Sequence, residues 1–526
     1  MIKGVCYLIG NGRDEIGMSE NAATKDSAIV RFRALTTQIK HYEELLGVVY
    51  WDMRTGAPRK GIAQRSEAVG TLSSEMFRLS TSAEMGELLD ELDGAGADGE
   101  LTDVDRKLIK ETRKEYERNL KIPPELYREY VVLTSQAETE WEEAKAKSDF
   151  KGFLPYLKQI IDYNRRFIAL WGVKGTPYDT LLDMYEPGTT TADLDRLFGE
   201  LRHRLVPLAA DIAQRGDKPD TAFLQGKFDK AAQKRFSLYT LGQMGYDFEA
   251  GRLDESVHPF ATGLSTGDVR ITTRYLEDDL TSALFGTIHE CGHALYEQNV
   301  DPKLNGTPLC GGTSMGIHES QSRLWENMIG RSRGFWERYL PELKKEFPAQ
   351  LEGIEAEAFY RGINVVEPSL IRIEADELTY NLHIMIRYEI EKMLFNEDLE
   401  PERLEEVWNA KYKEALGIEP SNAGEGVLQD VHWSGGMFGY FPSYSLGNMY
   451  AAQMLKTAER ELPTLFEDIA AGRLLPLKEW LTEKVYRHGK MLEPGEIIER
   501  ITGEPLRSDY LCDYLEEKYK AIYRLG

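Results

Sequence analysis

"TIHECGHALYEQ" (287–298) places two histidines four residues apart, with a glutamate directly after the first. Through this stretch Leu280, Leu284, Ile288, Cys291 and Leu295 recur at spacings of four, four, three and four, the period of one apolar helix face. The spacing predicts a helix. Residues four apart on a helix are offset by only about 40° and one turn, so His289 and His293 can aim both imidazoles at one point while Glu290 lies on a neighbouring face. Two neutral imidazole nitrogens are zinc-type ligands, and a carboxylate beside them can accept a proton from water. The plain alternative is a pair of ordinary helix histidines, but the chain holds nine histidines in 526 residues, which makes this spacing improbable by accident.

An open zinc site needs a third protein ligand. "GTSMGIHESQSRLWENMIG" (312–330) offers one: Thr313 or Ser314 can cap a second helix, and Glu319 falls 26 residues after His293, enough for one helix to end and another to pack beside it. His318 and Glu326 are rival ligands, and an ion pair with Arg323 is the purely structural role for Glu319. Farther on, "IRIEADELTYNLHIMIRYEIEKML" (371–394) reads as a helix with a polar stripe of Arg372, Asp376, Tyr380 and His383 among apolar residues. Such a stripe either lines a groove or forms an internal hydrogen-bond network. "GVLQDVHWSGGMFGYFPSYSLGN" (426–448) concentrates glycines and aromatics, and its His432, Tyr440 or Tyr444 can donate to a developing oxyanion; the alternative is a packed aromatic corner.

Most of the remaining chain has helical periodicity, for example at residues 28–50, 105–120 and 125–147, with breaks at 93–100, 185–198 and 214–220. The clearest strand is "DVRITTRY" (268–275), where Val269, Ile271, Thr273 and Tyr275 alternate with Arg270, Thr272 and Arg274, predicting one buried and one wet face. Lys and Arg number 64 against 88 Asp and Glu, a net charge of −24 that argues against nucleic acid as a partner. No apolar run reaches the roughly 20 residues of a membrane helix, and residues 1–20 lack the apolar core of a secretory signal, so a cytoplasmic protein is expected. The four cysteines (Cys6, Cys291, Cys310 and Cys512) have no paired spacing and are expected to be reduced and mostly buried.

Taken in order, "HPF" (258–260), "DVRITTRY" (268–275), "HECGH" (289–293), "HESQSRLWEN" (318–327), "IRIEADELTYNLHIMIRYEIE" (371–391) and "GVLQDVHW" (426–433) resemble the carboxypeptidase Taq family of zinc-dependent carboxypeptidases. "YWDMRTGAPRKG" (50–61) and "YDTLLDMYEPG" (178–188) extend the likeness into the first half. The resemblance implies a mostly α, zincin-like fold similar to neurolysin, with a deep central groove and a small β-sheet near the active site, commonly a homodimer. It also implies release of single C-terminal residues, with broad side-chain tolerance, from peptides bearing a free C-terminal carboxylate. By that resemblance His289, His293 and Glu319 hold one divalent metal, Glu290 is the general base, and His432 and Tyr444 face the oxyanion, with Tyr440 as the alternative. By the same resemblance Arg372 is expected to receive the terminal carboxylate. Arg270 and Arg274 on the strand are a second candidate receptor, or its solvated face. Zinc is the expected metal, although a His₂Glu set also accepts cobalt or manganese. Residues 1–27 form an extension without an assigned role, and 28–526 read as one large unit, with 28–250 a helical groove wall and 251–526 the catalytic part. An endo-acting oligopeptidase would use the same chemistry in an open-ended groove. A non-catalytic scaffold with a structural metal fits less well, because closed structural sites have four protein ligands, often Cys.

Overall fold

The quoted stretch lies in the helix Leu280–Gln298, here called the motif helix. Asp279 caps its start, accepting from the backbone N–H groups of Thr281 and Ser282 at 2.9 and 3.1 Å. Leu280, Leu284, Ile288, Cys291 and Leu295 are all buried, as their periodicity predicts. The computed structural model describes residues 27–93 and 101–525, and these form a mostly helical protein with one small sheet. The extension (1–27) and the break at 93–100 lie outside the described residues, apart from Ser27 and Asp93. The expected helices are present as Ala28–Thr55, Asp103–Leu120 and Pro124–Lys147. Thr190 and Asp193 form a reciprocal capping box at the start of Thr191–Arg215, at the second predicted break. No helix among the described residues is long and apolar enough to cross a membrane.

The sheet has three strands in the order β1 (Leu253–Glu255), β3 (Asp268–Thr273), β2 (Ala261–Ser265). β1 runs parallel and β2 antiparallel to β3, and Ile271 pairs with both Leu253 and Ala261. The motif helix packs on β2 and β3. Thr287, the first residue of the quoted stretch, donates to Thr273 at 3.0 Å and locks helix to strand. The predicted alternation holds for buried Val269, Ile271, Thr273 and Tyr275 and for exposed Arg274, but not for Thr272, which is also buried. Its hydroxyl accepts from Ser256 Oγ at 2.7 Å and from the Phe260 backbone N–H at 2.9 Å, so the "HPF" segment covers the face expected to be wet.

Two further helices stack on the motif helix in turn, the first of them lying in the middle. Met315–Arg323, the carboxylate helix, is capped by Ser314 and continues as a π-helical segment, Leu324–Gly330. Widened turns of this kind occur frequently at functional sites. Pro442–Glu461, the tyrosine helix, packs on its other side. Both crossings require glycine. A Cβ on Gly292 would lie 2.6 Å from Gln321 O and Ser322 Cα, and one on Gly447 would lie 2.8 Å from Glu319 Cβ and Cγ. The helix expected over 371–394 is shorter than its periodicity indicated. Arg372–Glu374 is a 3₁₀ turn, Asp376 is an N-cap accepting from Leu378 and Thr379, and the helix spans Glu377–Asn396. Arg372 is therefore held from outside the helix, its backbone N–H donating to Gln429 Oε1 at 2.9 Å.

The glycine contact leads to a test within one helix. Gly292→Ala should lower stability by roughly 1–3 kcal/mol, because the clash is with backbone that cannot rotate away. Gly286→Ala, whose Cβ would meet only Pro259 Cγ at 3.7 Å, should be neutral or stabilising by up to about 1 kcal/mol. Denaturant unfolding of the two variants measures the contrast, and equal effects would contradict the backbone contact.

Candidate metal centre

His289 and His293 face the carboxylate helix, with their Nε2 atoms 3.7 and 3.5 Å from Glu319 Oε2. Ligand atoms of these three residues all lie within 4.8 Å of one another. The other ring nitrogens are engaged. His289 Nδ1 lies 2.9 Å from Glu326 Oε2 in the π-helical segment. His293 Nδ1 is 2.5 Å from His318 Nδ1, and His318 Nε2 is 2.8 Å from Glu297 Oε1. A carboxylate takes the N–H at the outer end of each chain. His318 then accepts at Nδ1, His289 and His293 donate from Nδ1, and both Nε2 lone pairs point inward. The donor set thus fits a divalent metal without tautomeric rearrangement. Glu326 and His318, the rival ligands, stand behind the histidines and fix their tautomers.

Glu319 turns Oε2 towards the histidines, where it also accepts from Ser322 Oγ at 3.1 Å, and gives Oε1 to Arg323, whose Nε donates at 2.7 Å. The ion pair weighed against a ligand role is present, and it leaves Oε2 facing the histidines. Burial opposes ionisation of Glu319, but Arg323 and the two histidines outweigh it and hold the carboxyl well below its ordinary range. Burial likewise opposes charge on Glu326, yet its hydrogen bond to His289 and the nearby Arg323 bring it down to about 2. His293 is driven to about 4 by burial. Glu290 differs from its acidic neighbours. It is buried, has no hydrogen-bond partner among the described residues, and is pushed up to about 7 by burial against the pull of His289.

The glycine-rich stretch lies alongside. His432 Nε2 is 3.2 Å from Tyr444 Oη, and its ring packs against Phe441 with centroids 4.4 Å apart. Burial lowers His432 to about 3, so its imidazole is neutral. Tyr440 meets Tyr444 and Tyr185 edge to face, at 5.2 and 5.1 Å. The stretch is a packed aromatic corner whose polar tips lie together. Arg372 is buried; its Nε and Nη2 donate to Asp430 Oδ1 at 3.0 and 2.7 Å, and Nη1 donates to Tyr380 Oη at 3.0 Å. Its guanidinium lies 4.9 Å from the Tyr444 ring centroid, while Arg323 stands 4.4 Å over Tyr380. Contacts therefore run from Glu319 through Arg323 and Tyr380 to Arg372 and Tyr444.

Arg270 is outside this chain of contacts. It forks Asp268 at 2.7 Å and lines a separate cavity of about 620 Å³ with Trp51, Asp52 and Arg252. The polar stripe of the Glu377–Asn396 helix is mostly an internal network: Asp376 caps, and His383 Nδ1 is 2.9 Å from Tyr412 Oη. Sequence reasoning missed Glu297, four residues after His293 on the same helix, and Asp430, two before His432; helical spacing could have found the first.

The family model for "Carboxypeptidase Taq (M32) metallopeptidase" matches residues 31–519. The chain is 52% identical to Carboxypeptidase 1 of Bacillus subtilis, across 94% of this chain and 98% of that protein. It is 42% identical to Thermostable carboxypeptidase 1 of Thermus thermophilus, across 95% and 100%. The crystal structure of a carboxypeptidase of the same family from Deinococcus radiodurans superposes with a TM-score of 0.92 at 38% identity, covering 95% of this chain and 100% of that one. With a helical fold, a His-His-Glu convergence and matches along nearly its whole length, the chain belongs to the carboxypeptidase Taq (M32) family and is a metallocarboxypeptidase.

Proposed function

We propose that this enzyme releases C-terminal residues one at a time from peptides, with broad side-chain tolerance, using Glu290 as general base. The observation that carries this reading is the convergence of His289 Nε2, His293 Nε2 and Glu319 Oε2 within 4.8 Å beside an uncommitted carboxylate. His289, His293 and Glu319 would hold the divalent metal. Zinc is the first candidate, and cobalt and manganese are compatible with the set. When bound, the metal supplies a Lewis acid that polarises a peptide carbonyl and acidifies water. Glu290 takes the water proton and later delivers it to the departing amine. Tyr444 and His432, joined at 3.2 Å, meet the negative charge developing on the carbonyl oxygen. Tyr440 packs against both and is the alternative donor.

Arg372 receives the substrate's terminal carboxylate. Asp430 occupies its Nε side and Tyr380 one Nη1 hydrogen, leaving N–H groups on both Nη1 and Nη2 for a carboxylate fork. A homodimer and a cytoplasmic location complete the proposal, both resting on the family resemblance and the soluble composition.

Mass spectrometry of an N-terminally blocked peptide should give a ladder losing one residue at a time from the C-terminus, abolished by a chelator and restored by Zn²⁺, Co²⁺ or Mn²⁺. Internal fragments would instead identify an oligopeptidase. Glu290→Gln should retain metal and lower kcat by at least about 10²- to 10⁴-fold, the usual share of a general base; near-normal turnover would remove Glu290 from its role. For Arg372→Ala the informative quantity is a ratio. Losing a charge-assisted bond of about 1.5–3 kcal/mol should cut the preference for a free-acid peptide over its C-terminal amide roughly 10- to 100-fold. An unchanged ratio would reassign the receptor.

A further inference from the structure

Glu391 lies in the Glu377–Asn396 helix, fully buried, and has no cation within salt-bridge distance among the described residues. Burying a carboxylate without a counter-ion is costly: burial pushes Glu391 up to about 7, and its hydrogen bonds offset only part of that cost. It has three: Trp433 Nε1 donates to Oε1 at 2.7 Å, while the Gly439 backbone N–H and Tyr178 Oη donate to Oε2 at 2.9 and 2.6 Å. Two of these donors belong to the glycine-rich stretch, and each is the immediate neighbour of a residue in the oxyanion cluster. Trp433 follows His432, and Gly439 precedes Tyr440.

The segment between them is a closed turn. Met437 N–H donates to His432 O at 2.9 Å, and Gly436 and Gly439 both have positive φ, +72° and +90°. A Cβ on Gly439 would lie 2.8 Å from the Leu181 carbonyl carbon, so the turn rests directly on the Pro177–Leu182 helix that carries Tyr178. One carboxylate thus ties both ends of the turn and its support. We propose that Glu391 is a positioning residue for the hydrolytic reaction, setting the place of His432 and of the Tyr440–Tyr444 pair by holding Trp433 and Gly439. This rests on the reading of His432 and Tyr444 as oxyanion-side groups.

The bonding pattern makes a glutamine uniquely informative. Trp433 Nε1 and the Gly439 N–H can only donate, and they address different oxygens of Glu391. In Glu391→Gln, either orientation of the amide turns an NH₂ towards one of them. Size is preserved while one end of the turn is pushed away. A displacement near 1 Å at a reacting group can cost about 100-fold. The expected result is a kcat lowered roughly 10- to 100-fold, with KM and the Co²⁺ absorption spectrum of the loaded enzyme unchanged, since His289, His293 and Glu319 do not touch this turn. Adding Trp433→Phe removes the indole donor, lets the amide turn its NH₂ towards the vacated side and its oxygen towards Gly439, and should raise kcat at least about 5-fold above Glu391→Gln alone.

Steady-state kinetics on Glu391→Gln, the double variant and His432→Ala, with thermal melting to verify folding, test the proposal. It is overturned if Glu391→Gln keeps kcat within twofold while His432→Ala loses 100-fold or more, an outcome that leaves the catalytic reading intact. It is equally overturned if the Co²⁺ spectrum changes in Glu391→Gln, or if the double variant shows no recovery, either of which marks a general packing role. If His432→Ala retains full kcat, the reading of His432 itself fails, and the positioning role falls with it.

Discussion

Backbone contact between helices is the constraint on which the centre depends. Helices packed through ordinary side chains stand roughly 8–10 Å apart. Here the carboxylate helix is gripped between Gly292 on the motif helix and Gly447 on the tyrosine helix, each so close that a methyl group would overlap its neighbour. Gly292 lies between the glutamate and the second histidine of the quoted stretch, so one five-residue span carries both histidines and the close approach that brings Glu319 to them. Glu319 is pressed from behind by Gly447, and its carboxylate is directed at the histidines. The distance is fixed by the absence of side chains, not by the strength of any bond.

Electrostatics then separates carboxylates that are close in space. Glu297, Glu319 and Glu326 each have a cationic or imidazole partner, and their pKa values fall below the ordinary range despite burial. Glu290 has no hydrogen-bond partner among the described residues, and burial carries it up to about 7. The difference is one of commitment: three carboxylates are engaged by histidines or arginine, and the fourth is left unengaged, as the proposed proton transfer requires. Arg323 contributes to the same division by engaging the oxygen of Glu319 that faces away from the histidines.

The sequence carried the local parts of this arrangement well. The motif helix, its apolar face and the Ser314 cap follow from periodicity and capping preferences over a few residues, and the 26-residue interval to Glu319 allowed one helix to be followed by another. The helix at 371–394 was read too long because apolar periodicity continues through Ile371 and Ile373. Asp376 is a strong N-cap type and marked the true boundary, but a polar stripe and a cap look alike when Asp falls at helical spacing. Thr272 was assigned to a wet face because alternation along a strand carries no information about a segment that folds back over it. Least legible were the buried carboxylates. Glu186 accepts from Ser314, Gly316 and Tyr450, and Glu391 from Tyr178, Trp433 and Gly439, partners 42 to 264 residues away. In sequence, Glu391 sits in ordinary helical surroundings and Glu186 in the break at 185–198, and neither position points to its partners.

These buried groups show how the two halves of the site differ physically. The metal-binding half is compact in sequence, running from His289 to Glu326, and glycine contacts set its distances. The other half is assembled from Arg372, Asp430, His432 and Tyr444, and directional bonds place it: Asp430 between Arg372 and Arg387, with Glu391 under the turn that follows His432. Apolar packing of similar volume is often as stable as a buried ion pair, or more so. Apolar contacts, however, leave rotation about an axis weakly determined, whereas a carboxylate with fixed donors on both oxygens determines it. A metal tolerates small errors in ligand approach because its ligands move with it. A donor to a developing oxyanion must be correct in angle before the charge appears, and under the proposed roles of His432 and Tyr444 that requirement would account for the costly, directional interactions being gathered on that side of the site.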